Sequence, residues 1–562
     1  MKSDSPNVRK IPAALFWSAV SLFLFYLLCQ FRSLDDSRVS GWQDVFSVAD
    51  PLKTVLVLVA ALTAAFAVSL TSVAERKPVL FLFVLSFIGA ACFWSEPELI
   101  VDASRYFTQA KHLELYGIGY FFREWGTGIN AWTDLPAVPF LYGMAFRIFG
   151  ENRVVIQALN TLFFASSVVL TYLTGKELWD KETGFFAGLF LLAIPYLYTQ
   201  VPLMLVDVPT MFFIMLAVLT FILALRRGGT MIVSAVLSIF TAAFTKYSAW
   251  LMLTVIVVIY VVELWSNRNN ERDRYALRGM IVFFASFFLI SLAIAFNHDQ
   301  MIRQIHLLIT FQKPGMYRWG EGLLSITVFQ MHPAITLLAA ASVYFAFRKK
   351  DPVYIIIAWI VLLVIVLQIR RMRYLILVFP MLCLMASYGA TQMKRVLNCR
   401  FIVFSAAAFS FVIAFTAFLP FERSTSAENI KDASEYLDAL GVRTVEVLTP
   451  VPRTYVMNTS AVVPLLDLFL HKKIHYQYDE SSFSLPEDVE TSALRFTWTY
   501  KNPSYYQEHD PAEKRAVVVV SDSAGDELPD AVLRHTLGYS QSRTFTLRDD
   551  AYQHQTFITV YH

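Results

Sequence analysis

The chain has 562 residues, of which 56% are hydrophobic, 15% aromatic and only 16% charged, with a mean hydropathy of +0.51. Soluble domains carry about 25% charged residues, so a disordered chain, a disulfide-rich scaffold and an ordinary cytosolic enzyme are excluded. A formal net charge of +3 leaves no nucleic-acid footprint, and the four cysteines lie in or beside apolar runs without Cys-x-x-Cys spacing, as small core residues do.

A helix needs about 20 mostly apolar residues to cross the hydrocarbon core. The first such run is Ile11–Phe31, which follows a tail carrying Lys2, Arg9 and Lys10 and is too long, with no small-x-small site after it, for a signal peptide. Further spans are predicted at Thr54–Thr71, Val79–Trp94, Val154–Thr174, Thr183–Val201, Val208–Leu225, Met231–Thr245 and Ser248–Leu264. Met280–Phe296, Ile335–Phe347, Val353–Ile369, Tyr374–Ala390 and Phe401–Leu419 complete a set of about thirteen. The fold class expected is therefore an α-helical polytopic membrane protein over 1–420, with a soluble α/β domain over 421–562.

Basic residues set the sidedness. With the N-terminus in the cytoplasm, the inner loops hold Arg76 and Lys77, Lys176 and Lys181, Arg226 and Arg227, the arginines from 268 to 278, Arg348 to Lys350, and Lys394, Arg395 and Arg400. The outer loops are sparse in Lys and Arg, and an odd number of spans puts the C-terminus outside the cytoplasm. Most non-membrane mass then lies outside: the long loop 95–153, a shorter one from Asn297 to Pro333, and the C-terminal segment.

That segment alternates helix and strand patterns. Asn429–Leu440 has helical spacing with Gly441 as a stop, while Arg443–Leu448, Arg515–Val520, Thr544–Arg548 and Thr556–Tyr561 read as strands. No nucleotide loop, His-Glu-x-x-His or nucleophile elbow occurs in it. Asn458-Thr-Ser matches a glycosylation acceptor, a triplet common by chance. A packing or acceptor-docking role fits the segment best.

Ionisable groups at the outer ends of several spans stand out, because apolar spans tolerate few of them. Asp102 follows the third span. Asp207 lies in the apolar turn Leu205-Val206-Asp207-Val208-Pro209, Lys246 in Phe244-Thr245-Lys246-Tyr247, and Arg370, Arg371 and Arg373 in the turn before Tyr374. Each alone has a simpler reading: a solvated or capping Asp, or a Lys or Arg snorkelling to headgroups. Three arginines on the outer face, however, oppose the positive-inside bias, and an anionic ligand explains them. If the helix ends converge, carboxylates and cations form one polar pocket.

From Asp102 to about Glu263 the sequence resembles the dolichyl-phosphate-mannose–protein mannosyltransferase family and its bacterial relatives, which include the lipid A aminoarabinose transferase, all of the GT-C class. The resemblance runs through Asp102 with Tyr106 near it, the Pro segment from Asp134 to Pro139, and Phe146-Arg-Ile-Phe-Gly150-Glu151-Asn152. It continues through Asp207 before Pro209, Thr245-Lys246, and Arg371-Met-Arg373-Tyr374 leading to Pro380. It departs where Ala103 replaces a second acid and Leu135 a first Pro.

The resemblance implies a polyprenyl-phosphate-linked sugar as donor, moved with inversion to the hydroxyl of a lipid, glycan or protein acceptor. Such a hydroxyl needs a general base, for which Asp102 is the candidate. The leaving phosphate needs cations, for which Lys246, Arg371 and Arg373 are candidates. Asp207 would orient the acceptor, position the base or help hold a metal. No cofactor is required; a divalent metal is compatible, but no His/Cys cluster supports one. Tyr106, Trp132, Tyr317 and Arg318 are weaker pocket candidates, the last two as part of a lid. The alternative of an anion or lipid transporter explains the spans and basic turns but not the large outer segment. An oligosaccharyltransferase acting on asparagine lacks its Trp-Trp-Asp signature here, and a non-catalytic lipid-binding relative differs only in activity.

Overall fold

The computed structural model describes residues 10–35, 42–94, 101–266, 271–312, 322, 325–369, 371–393, 399–426, 428–450, 459–476, 500, 502–507, 515–522, 529–549 and 554–562. Leaving out shorter turns, α1 is Lys10–Phe31, α2 Pro51–Ser69, α3 Pro78–Ala91, α4 Val101–Arg123, α5 Ala137–Phe149 and α6 Arg153–Leu178. They are followed by α7 (Lys181–Leu192), α8 (Asp207–Arg227), α9 (Thr230–Ala243), α10 (Thr254–Ser266), α11 (Arg272–Phe296) and α12 (His298–Leu307). The helical bundle closes with α13 (Pro333–Lys349), α14 (Tyr354–Val366), α15 (Phe379–Gln392) and α16 (Cys399–Ile413). Among the described residues, eight helical stretches are long and apolar enough to cross a membrane. Large side chains such as Phe284, Phe287 and Phe347 stand largely exposed on α11 and α13, the surface a bundle offers to lipid rather than to water.

The sequence expectations need adjusting in three places. The expected single span Thr183–Val201 is broken: α7 stops at Leu192 and a short helix restarts at Pro195, where the missing N–H and fixed φ cannot continue the first helix. The expected long loop 95–153 is largely helical, holding α4, which kinks at Gly117 (φ +83°), and α5. The expected loop after Asn297 begins as the helix α12. Asn458 and the basic residues at 268, 394 and 395 lie outside the described residues.

The C-terminal segment folds as α17 (Glu428–Ala439) and α18 (Val462–Phe469) against five strands: β1 Thr444–Leu448, β2 Lys473–Tyr476, β3 Arg515–Ser521, β4 Ser542–Asp549 and β5 His554–Tyr561. The sheet order is β2-β1-β3-β5-β4, with β1 parallel to β2 and β3, and β5 antiparallel to β3 and β4. The Ala-Val-Val-Val-Val run of β3 is buried throughout, as a central strand covered on both faces must be. Its core is not private: Tyr106 and Phe107 of α4 and Tyr142 and Phe146 of α5 join one cluster with Val445, Leu466, Val518 and Ile558.

Helices α6 and α7 cross at backbone contact, because Gly175 and Gly184 face each other. A Cβ on Gly175 would stand 2.7 Å from the Gly184 Cα, and one on Gly184 would overlap the Tyr172 carbonyl oxygen. Overpacking a fitted interface costs about 1–3 kcal/mol. Gly184→Ala should therefore lower the thermal midpoint of the detergent-solubilised protein, whereas Gly441→Ala, which meets open space, should not. Equal midpoints for the two would mean that the crossing is loose.

Candidate active site

The site is assembled from several separate stretches of chain. Asp102 and Arg105 lie one turn apart on α4, with Gln109 a further turn along the same face. Arg105 Nη1 donates to Asp102 Oδ1 at 3.1 Å. On its other side Arg105 clasps Asp134, with Nε donating to Oδ2 at 3.1 Å and Nη2 to Oδ1; Gln109 Nε2 also donates to Asp134 Oδ2 at 3.0 Å. Asp134 belongs to the segment between α4 and α5, which folds back along α4. Gln304 of α12 donates to its carbonyl at 2.8 Å, and the Tyr247 hydroxyl donates to Gln304 Oε1 at 2.6 Å.

Asp207 is the first residue of α8, where the helix dipole favours a carboxylate and where Pro209 still lacks an intrahelical acceptor to serve. Its side chain is 1% exposed, and each oxygen is taken: Lys246 Nζ donates to Oδ1 at 2.5 Å and Arg373 Nε to Oδ2 at 2.6 Å. Lys246 caps the start of the short helix Tyr247–Met252, and Arg373 lies in the turn Met372–Leu375. Arg373 then turns its Nη1 to Asp102 Oδ2. Lys246, Asp207, Arg373, Asp102, Arg105 and Asp134 thus form one chain of alternating sign.

Arg371 completes the group from the side. Its Nη1 donates to the Tyr374 hydroxyl at 3.3 Å, and its guanidinium sits 5.2 Å from the centre of that ring, with Lys246 Nζ 4.7 Å from the same centre. Among the described residues, three carboxylates and four cations leave one formal positive charge in excess. Asp102 is the accessible acid, with 27% of its side chain open. Burial would raise its carboxyl, but Arg373 and Arg105 outweigh burial and hold it well below the usual carboxylate range. Burial likewise opposes the Arg105 charge, and Asp134 and Asp102 more than restore it.

The sequence candidates Asp102, Asp207, Lys246, Arg371 and Arg373 therefore come together. Tyr106 and Trp132 join at the Asp134 end, their ring centres 5.7 and 5.2 Å from the Arg105 guanidinium. Trp132 holds φ +40°, a costly conformation for a bulky side chain. It is retained by stacking on Tyr500 at 5.7 Å and 17°. Tyr317, Arg318 and Arg370 lie outside the described residues. Sequence reasoning missed Arg105, Gln109 and Gln304, and quoted Asp134 and Tyr374 without giving them a role. The one-turn spacing of Asp102 and Arg105 was the available signal. Among the described residues, no group of three or more His, Cys, Asp and Glu stands close enough to hold a metal ion.

The fold is that of the GT-C class of membrane glycosyltransferases. ArnT from Cupriavidus metallidurans bound to undecaprenyl phosphate superposes with a TM-score of 0.53 at 11% identity, over 87% of this chain and 98% of that one. The Archaeoglobus fulgidus oligosaccharyltransferase tethered to an acceptor peptide gives 0.51 at 12% identity, over 80% and 70%. The same archaeal enzyme, AglB, with an inhibitory peptide and a dolichol-phosphate gives 0.51 at 11%, again over 80% and 70%. Residues 134–296 match the family model for dolichyl-phosphate-mannose-protein mannosyltransferase, the family that the sequence resembles. No curated protein sequence matches the chain.

Breaking a buried ion pair from one side costs about 3–5 kcal/mol, because the partner charge is left unpaired in low dielectric. Arg105 serves two acids and is 6% exposed; Lys246 is 19% exposed, and Asp207 would keep Arg373 without it. Arg105→Gln should destabilise the protein by about that amount, and Lys246→Gln by clearly less, in denaturant titrations of both variants. The reverse order would place the weight of the network at Asp207.

Proposed function

We propose that the chain transfers a sugar from a polyprenyl-phosphate donor to an acceptor hydroxyl, with inversion, at the alternating charge cluster. The observation that carries this reading is the cluster's single excess positive charge beside one accessible carboxylate. A polyprenyl phosphosugar is a phosphodiester with one negative charge, so it matches the excess. Arg371, Arg373 and Lys246 would hold its phosphate, with Arg371 and Lys246 both placed against Tyr374. The fold neighbours support the reading, since one is bound to undecaprenyl phosphate and another to a dolichol-phosphate.

The chemistry follows from the charges. The acceptor oxygen attacks the anomeric carbon, the bond from that carbon to the phosphate oxygen breaks, and the acceptor proton passes to Asp102. The lipid phosphate departs as a monoester with one further negative charge. At rest Asp102 is a weak base, because two arginines stabilise its anion. A phosphate that draws Arg373 toward itself would restore basicity to Asp102 as the donor binds. Protonation of Asp102 then weakens its hold on Arg373 while phosphate charge grows, so the cation follows the charge. Asp207, buried and doubly paired, positions Lys246 and Arg373 rather than meeting substrate. The sparsity of Lys and Arg in the loops at this end supports a reaction on the extracytoplasmic face, with an N-terminus in the cytoplasm and the C-terminal segment outside it.

General-base catalysis is worth about 10²–10⁴-fold. Asp102→Asn should lower transfer of labelled sugar from a polyprenyl-phosphate donor by that much while donor binding survives. Arg373 bridges two acids, so Arg371→Ala is the cleaner test of the phosphate site; loss of one charge-assisted contact, about 1.5–3 kcal/mol, should weaken donor binding roughly tenfold to a hundredfold. Near-parental transfer in Asp102→Asn removes the base from this residue. Lipid flux across sealed vesicles without any transfer would favour a transporter.

The pH dependence is a separate test. A carboxyl with a depressed value stays ionised until pH falls below the ordinary range near about 4. The acid limb of kcat/KM reports the free enzyme and that of kcat the donor complex. The limb in kcat/KM should therefore lie at lower pH than the limb in kcat. Coincident limbs would show that donor binding leaves Asp102 as tightly paired as before.

A further inference from the structure

At the opposite ends of these helices the cations fall into two sets. Arg226 pairs with Glu263 at 2.7 Å, Arg227 with Glu177 at 2.6 Å and Arg400 with Glu75 at 3.0 Å. The side chains of Lys77, Lys176 and Lys181, in contrast, make no ion pair or hydrogen bond among the described residues. All three line one cavity of about 680 Å³, together with Leu80, Phe83 and Tyr172, and no carboxylate is among its lining residues.

The local fold explains why they meet. The Gly175–Gly184 crossing brings the end of α6 against the start of α7, and Asp180 caps α7 by accepting from the Thr183 N–H at 2.8 Å. Lys176 and Lys181 are thereby held on either side of a tight turn. Lys77 precedes Pro78 at the start of α3, which packs along α6. Tyr172 lies one turn before Lys176 on the same face of α6. Its side chain is buried, at 3% exposure, and its hydroxyl has no hydrogen-bond partner among the described residues. The hydroxyl is nevertheless not sealed from solvent, so it is available to a ligand in the cavity.

We propose that this cavity binds an anionic phospholipid of the leaflet opposite the candidate active site. The three ammonium groups surround the headgroup phosphate, and the Tyr172 hydroxyl donates to one of its oxygens. The acyl chains run along Leu80, which is 56% exposed on α3, and Phe83. The depth fits: α6 has 26 residues, about 39 Å of helix at about 1.5 Å per residue, so its two ends reach the two headgroup layers. The site is independent of the transferase reading and stands or falls without it.

The test uses the full chain in nanodiscs of mixed phosphatidylcholine and phosphatidylglycerol, released for native mass spectrometry, which counts retained lipid of each kind. The parent should retain phosphatidylglycerol in preference. The triple variant Lys77→Ala, Lys176→Ala, Lys181→Ala should lower that preference at least about tenfold, since each lysine near anionic lipid contributes about a fivefold factor. Tyr172→Phe should lower it severalfold, and Lys349→Ala with Lys350→Ala, a basic pair outside the cavity, should leave it unchanged. An undiminished preference in the triple variant overturns the proposal. So does an equal loss in the Lys349 and Lys350 variant, which would mean a general basic surface. Competition by soluble glycerol phosphate as effective as the whole lipid would assign the cavity to a free phosphate compound instead.

Discussion

One guanidinium joins the parts of this molecule that sequence keeps furthest apart. Arg373 contacts Asp207 through Nε and Asp102 through Nη1, and those acids begin α8 and α4 respectively. It is the cation the two acids share, and Arg373 could not stay there without them. The start of α8, the start of α4 and the turn before α15 are therefore fixed to one another by a single side chain. Lys246 and Arg105 extend the same logic outward at each end. Because signs alternate along the whole chain of contacts, moving any one charge alters the demand on the next.

The position of α4 is secured from its other face by the C-terminal segment. Ser104 donates to the Ala461 carbonyl at 2.6 Å, and Lys111 holds both Glu151 at 3.1 Å and Asp467 at 2.5 Å. The Tyr506 hydroxyl also donates to Asp467. With the apolar cluster shared between α4, α5 and the sheet, these contacts make the sheet the backing of the helix that carries Asp102. A backing of this kind limits the rotation of α4, and a rotation of α4 would carry Asp102 away from Arg373. An aromatic residue between α4 and α5 serves the same end, since Trp132 is clamped between Tyr500 and Arg105.

The helical membrane fold was legible because apolar runs are a property of sequence alone. The strands of the C-terminal segment were legible for the same reason, Arg515–Val520 most plainly. The charged residues of the site could be found one by one, because an Asp in an apolar turn or three Arg against the positive-inside bias is out of place locally. Their connection was not legible. That Asp134 rather than Asp207 pairs with Arg105 depends on a segment folding back along α4, and nothing in local periodicity encodes that. The break at Pro195 was present in the sequence but outweighed by the continuous apolar run around it. Tyr172 and the three lysines were invisible as a group, since their meeting depends on the Gly175–Gly184 crossing.

The unequal exposure of the two central acids matches the role that the proposed function gives each. A carboxylate that positions cations works best where water cannot compete for them, and Asp207, 1% exposed, is placed so. A carboxylate that accepts a proton must meet a substrate hydroxyl at about 2.6–3.2 Å and must change its own charge during the reaction. Burying such a group as deeply as Asp207 would leave it permanently ionised beside its arginines. Asp102, 27% open, retains access and shares its arginines with other acids. Arg105 can fall back on Asp134 and Arg373 on Asp207, so neither cation is left unpaired when Asp102 becomes neutral. On the proposed mechanism, the outer pairs of the cluster would thus allow its middle acid to gain and lose a proton without unsettling the fold.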